Sequence, residues 1–143
     1  LIARRNGKLT STNVKTMPYP GFPTDVQPQL MAALCLAKGT SVIKESIFES
    51  RFQHVAELRK MGAAIEIQGN TAVINGVPAL YGASVQGTDL RAGAALVLAG
   101  LAAEGETRVY GLHHILRGYE NFDRALQGLG AKVSVAEEDE SSL

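Results

Sequence analysis

Apolar and polar positions change their spacing from block to block along this chain, and the changes mark its elements. Thr10–Met17 reads as a strand that runs into a stiff Pro18–Pro23 stretch. Leu30, Met31, Leu34 and Cys35 recur at helical spacing, predicting a helix from Asp25 to about Lys38. Thr24 is its natural cap, Asp25 its first-turn acid and Gly39 its stop. Thr40–Glu45 alternates as a strand, and Ile47–Arg51 is a connection. Phe52–Met61 is an amphipathic helix with Phe52, Val55, Ala56, Leu58 and Met61 facing one way. Ala64–Gln68 and Thr71–Val77 form a hairpin about Gly69-Asn70. The order then returns: strand Leu80–Gln86, helix Asp89–Glu104, strand Glu106–Tyr110, connection Gly111–Arg117, helix Tyr119–Leu129, strand Lys132–Ala136. An acidic tail, Glu137–Leu143, closes the chain.

The return is visible residue by residue. Thr24-Asp25 recurs as Thr88-Asp89, Arg51 as Arg117, and Met61-Gly62-Ala63 as Leu129-Gly130-Ala131. The chain therefore divides into a strand lead-in over 1–17, a repeat unit over 18–77, a second over 80–136 and the tail over 137–143. All are parts of one domain. Ala92–Ala103 carries no charged residue, which predicts burial on every side. The strands instead alternate, as in Lys132-Val133-Ser134-Val135, so one strand face is wet. The expected fold is α/β with helices as the core and sheets as the outer wall. Two such units leave helix faces bare, so a further element is expected from elsewhere.

Composition narrows the function. A hydrophobic content of 45% in 143 residues suffices for one core, and a formal charge of +0 gives no bulk attraction to nucleic acid or membrane. The single cysteine excludes an internal disulfide and fits a reducing compartment. Cys35 lies on an apolar helix face and reads as a small buried hydrophobe. No apolar run is long enough to cross a bilayer. The first residue is Leu1, which predicts a piece of a longer protein or a processed chain. Arg4, Arg5 and Lys8 surround the Asn6-Gly7 turn and read as a solvated face.

Both apolar helices start at the same end of their units. Asp25, Asp89 and Arg91 are thus expected near a common edge, with Arg51 and Arg117 in the connecting loops. Helix N-termini and arginines favour anions, and a carboxylate among them can accept a proton from a hydroxyl. Each Asp also reads as a plain helix cap. His54 is placed on a helix beside polar residues, and His113 and His114 in a loop; none has metal-ligand spacing, so no metal is expected.

At these residues a resemblance enters. Pro18-Tyr19-Pro20-Gly21-Phe22-Pro23-Thr24-Asp25, Ile47-Phe48-Glu49-Ser50-Arg51-Phe52, Thr88-Asp89-Leu90-Arg91 and Arg117-Gly118-Tyr119-Glu120 closely resemble the UDP-N-acetylglucosamine enolpyruvyl transferases (1-carboxyvinyltransferases). The sister shikimate-phosphate enzymes share the Leu58–Ala63 helix end and fit less well at Phe48–Arg51. The resemblance implies an inside-out α/β barrel. It also implies enolpyruvate transfer from phosphoenolpyruvate to the 3′-hydroxyl of UDP-N-acetylglucosamine, the committed step toward peptidoglycan, with no metal or organic cofactor. Carried over by position, Asp25 contacts the sugar with Thr24 and takes the hydroxyl proton. Asp89 assists proton movement. Arg91 and Arg117 hold phosphoenolpyruvate with Arg51 nearby, and Ile47 and Phe48 line the nucleotide-sugar side. Cys35 does not match the family's loop cysteine. The remaining catalytic groups are expected in the rest of the same enzyme, leaving this chain inactive alone. A non-catalytic folding or assembly module is the alternative.

Overall fold

The computed structural model describes residues 2–137, so most of the acidic tail lies outside the described residues. Among the described residues, two sheets and five α-helices make one mixed α/β body. β1 (Asn13–Lys15) and β2 (Thr40–Lys44) pair in parallel, and α1 (Gln27–Leu34) is the crossover between them. β3 (Ala64–Gln68) and β4 (Thr71–Asn75) form the predicted hairpin, and the sheet order is β1-β2-β4-β3. Gly69 takes a φ of +60° in the two-residue turn, which tight hairpins demand. Ser41, Ile43, Ile65, Ala72 and Ile74 alternate onto one buried sheet face; Lys44, Glu66 and Gln68 stay wet.

The second half opens the same way. β5 (Ser84–Gln86) pairs in parallel with β6 (Arg108–Tyr110) across the crossover α3 (Leu90–Ala102). Helices α1 and α3 pack together, and their Met31, Cys35, Ala95, Leu96 and Ala99 share the core with Ile43, Leu58 and Ile74. Cys35 is fully buried, as expected of a small hydrophobe, and burial pushes its thiol pKa up to about 12.

Several expectations change. The first helix opens as a single 3-10 turn, Thr24–Val26, and its α-helical part stops at Leu34 instead of Lys38. The N–H groups of Leu36 and Ala37 bond three residues back, to Ala33 and Leu34, so the last turn tightens and ends the helix early. In the helix α2 (His54–Lys60), Ala56 faces solvent while His54 is buried. Gly111–Arg117, expected as a connection, is mostly the helix α4 (Leu112–Gly118). Leu112, Ile115 and Leu116 fall at helical spacing, and Ile115 sits in a notch left by Gly93, where a Cβ would lie 2.7 Å from its Cγ1. The following helix shortens to α5 (Phe122–Gly128) because Asn121, with φ +48°, breaks the chain direction. Lys132–Ala136 forms no strand: its alternation finds no ladder partner among the described residues. The uncharged stretch from Ala92 onward in α3 is buried over Ala92–Leu96 and at Ala99, but Leu98 and Leu101 are 39% and 41% exposed. The described residues leave that side open.

Glycine supplies a test of the packing. A Cβ on Gly76 would lie 1.7 Å from the Ala37 carbonyl oxygen, whereas one on Gly128 meets open space. Gly76→Ala should therefore destabilise the chain by more than about 2 kcal/mol, and Gly128→Ala should be neutral or stabilise it by up to about 1 kcal/mol. Urea unfolding of the two variants checks the contrast.

Candidate active site

The site is built around the first turn of α3. Asp89 is its cap: one carboxylate oxygen accepts from the Arg91 and Ala92 amides at 2.8 and 2.9 Å. Arg91, two residues on, sends its side chain back across the molecule, where Nε donates to Asp25 Oδ1 at 2.6 Å. Arg91 therefore joins both acids, one through its backbone and one through its guanidinium. Asp25 remains 65% exposed and Arg91 27%, so this pair is worth at most about 1 kcal/mol of stability. Its importance is positional.

Thr24 and Asp25 do not cap. Pro23 holds the N-cap position of the 3-10 turn, and no side chain bonds its free amides. Thr24 Oγ1 instead donates to Glu45 Oε1, and Asp25 accepts from Arg91. Glu45 was not singled out by sequence, although Ser41, Ile43 and Glu45 alternate onto the inner side of one strand and its period points there. The Glu45 residue is only 3% exposed, and its second carboxylate oxygen has no partner among the described residues.

Glu45 also borders an open groove of about 820 Å³ walled by Ile47, Phe48, Ser50 and Arg51, with Ile67 and Asn70 opposite. The loop is pinned at both ends. The Ser46 amide donates to Thr16 Oγ1 at 2.9 Å, and buried Gln27 donates from Nε2 to the Arg51 carbonyl at 3.3 Å. Between them, Ser50 takes a left-handed φ of +57°, uncommon for a residue with a Cβ. The Arg51 guanidinium lies 4.2 Å from the centre of the half-exposed Phe48 ring. Ile47, Phe48 and Arg51 thus share one wall, linked to Asp25 through Glu45 and Thr24.

Arg117 lies on the last turn of α4, exposed, and not in a loop. Its neighbour Gly118 abuts Leu90, where a Cβ would stand 3.1 Å from Cδ1. That contact brings the end of α4 to the start of α3. Gln29 Nε2, 3.4 Å from the Tyr119 hydroxyl, ties α1 to the same turn. His54, expected beside polar residues, is buried with Nε2 3.2 Å from Met31 Sδ. Burial lowers its pKa to about 4, against a smaller upward pull from the Asp89 charge.

Fold and site together define a mixed α/β scaffold whose acid-and-arginine rim suits anionic ligands and proton transfer. A sequence model of the EPSP synthase (3-phosphoshikimate 1-carboxyvinyltransferase) family spans residues 2–138, and the chain belongs to that family. It is 58% identical over 133 residues to UDP-N-acetylglucosamine 1-carboxyvinyltransferase 2 of Carboxydothermus hydrogenoformans, covering 93% of this chain and 32% of the relative. Against the UDP-N-acetylglucosamine 1-carboxyvinyltransferase of Ruegeria pomeroyi the identity is 55%, covering 92% and 31%. Among solved structures, the enolpyruvyl transferase NikO from Streptomyces tendae superposes with a TM-score of 0.80 at 32% identity, over 87% of this chain and 29% of that one. An EPSP synthase from Acinetobacter baumannii gives a TM-score of 0.52 at 30% identity, over 59% and 21%. The chain spans about a third of the length of the curated relatives it matches.

The buried imidazole predicts a pH dependence. In the unfolded chain His54 gains a proton below about pH 6.5, while the folded chain resists until about pH 4. The unfolded state therefore binds more protons across that window, so stability falls on acidification, by up to about 3 kcal/mol. His54→Leu should flatten this part of the stability–pH curve, as read by chemical denaturation from pH 7 to pH 4.

Proposed function

We propose that the protein containing this chain transfers enolpyruvate from phosphoenolpyruvate to the 3′-hydroxyl of UDP-N-acetylglucosamine, with phosphate leaving. The observation that carries the reading is Arg91 held between Asp25 and Asp89. The transfer needs a base for the sugar hydroxyl, a second group for proton traffic at the enol carbon, and fixed positive charge for a substrate that is anionic at both ends. Asp25 takes the first role and Asp89 the second. Arg91 and Arg117 bind the phosphoenolpyruvate anion, with Arg51 close by. Thr24, Ile47 and Phe48 line the nucleotide-sugar side, and the groove beside Phe48 supplies the room. No metal or organic cofactor takes part.

Relatives named for this sugar nucleotide, 55–58% identical along nearly the whole chain, favour it over a shikimate phosphate. The full architecture we infer is an inside-out α/β barrel: two repeat units contribute buried helices and outer mixed sheets, and the rest of the same enzyme covers the exposed side of α3. Leu98 and Leu101 support that reading. The other catalytic groups come from the remainder, so this chain alone turns over no substrate. The setting is the cytoplasm and the pathway peptidoglycan synthesis, with no nucleic-acid or membrane partner. Among the described residues no helix is long and apolar enough to cross a membrane.

In the full-length protein, Asp25→Asn and Asp89→Asn should each lower kcat by about a hundredfold or more, measured as phosphate release. Arg91→Lys and Arg117→Lys should raise KM for phosphoenolpyruvate by about tenfold and KM for the nucleotide sugar far less, because lysine cannot reproduce the guanidinium fork. Wild-type kcat in both Asp variants, with only stability reduced, would instead mark the chain as a folding module.

A further inference from the structure

The turn that aims Asp89 and Arg91 is held from the other half of the chain. Gln86 ends β5, the parallel partner of β6. The next amide, Gly87, bonds the Tyr110 carbonyl at 2.9 Å, so the Gln86 amide points to the opposite, unpaired edge of β5. Glu57 of α2 meets it there, its Oε2 accepting from the Gln86 amide at 2.8 Å. Lys60 Nζ lies 2.9 Å from both oxygens of the same carboxylate, fixing its orientation. One helical turn earlier, at the position preceding α2, Gln53 Oε1 accepts from Thr88 Oγ1 at 3.5 Å. Positions 53 and 57 are neighbours on a helix surface, so one stripe of α2 bonds two residues of the Gln86–Asp89 turn.

The turn has little slack elsewhere. A Cβ on Gly87 would stand 2.9 Å from the Gly93 Cα, so strand end and helix meet backbone to backbone. Burial raises the Glu57 pKa, but the bonds from Lys60 and the Gln86 amide outweigh it and hold the carboxyl below its ordinary range. It accepts as a carboxylate at neutral pH.

We infer that Glu57 is a positioning residue for the reaction: by fixing the Gln86 amide it sets where α3 begins, and so where Asp89 and Arg91 stand relative to Asp25. This rests on the enolpyruvyl-transfer reading above. Glu57 touches neither substrate. Its loss displaces the start of α3 and leaves the Phe48 groove untouched, so the effect falls on turnover and not on nucleotide-sugar binding.

Two conservative variants of the full-length protein separate reach from charge. Glu57→Gln keeps the length and an accepting oxygen; Glu57→Asp keeps the charge and falls one methylene short. Glu57→Gln should retain kcat within about threefold, and Glu57→Asp should lose about tenfold, with KM for UDP-N-acetylglucosamine within about twofold in both. Amide hydrogen exchange at Gln86 should accelerate in Glu57→Asp and stay near wild type in Glu57→Gln. The reverse order of kcat, equal kcat in both variants, or unchanged Gln86 exchange in Glu57→Asp overturns the inference. Absence of enolpyruvyl transfer by the wild-type protein overturns the proposed function instead, and the exchange comparison still reads whether Glu57 holds the turn.

Discussion

The arginine that begins α3 is the constraint on which the site depends. Its backbone amide is bound by Asp89 and its guanidinium by Asp25, sixty-six residues earlier in the chain. One residue thus couples two helix starts that belong to different halves. The coupling contributes little stability, since the pair is largely solvated. What makes it possible is the packing of α1 on α3, where Ala95 and Ala99 put small side chains in the shared core. The apolar helices fix the distance, and the charged groups at their ends inherit it.

Burial assigns different tasks to the other polar groups. Glu45 and Gln27 lie inside, each with an oxygen that has no partner among the described residues; Glu45 accepts from the Thr24 hydroxyl, and Gln27 holds the Arg51 carbonyl. Leaving a buried acceptor unpaired costs about 1–3 kcal/mol. Of the two, Glu45 also lines the groove. His54 shows the opposite logic: buried and neutral at physiological pH, it fills space against Met31 instead of carrying charge.

Much of this was legible in the residues. Element types in the first half followed from period and glycine stops, because each strand there finds a partner and each helix an apolar face. The second half was harder. The Gly111-Leu112-His113-His114 stretch reads as a loop by its glycine and polar pair, but Ile115 docking on Gly93 makes it a helix. Alternation at Lys132–Ala136 predicted a strand that lacks a neighbour to pair with. At the site, Asp89 was found as a cap and Arg91 beside it. The bonds of Thr24 to Glu45 and of Asp25 to Arg91 join distant residues, which no local pattern encodes. Bare helix faces were expected of two units, whereas the burial on every side read from charge-free Ala92–Ala103 fails at Leu98 and Leu101.

The most direct test of the account is the state of the Arg91 Nε–H, followed by nitrogen-detected arginine NMR in this chain and in Asp25→Ala. With Asp25 present, the account predicts a distinct, slowly exchanging Arg91 Nε–H resonance at neutral pH, and Asp25→Ala should shift it and speed its exchange. An Arg91 resonance identical in the two proteins would mean that the two helix starts do not meet through this side chain, and the site built on them would fall.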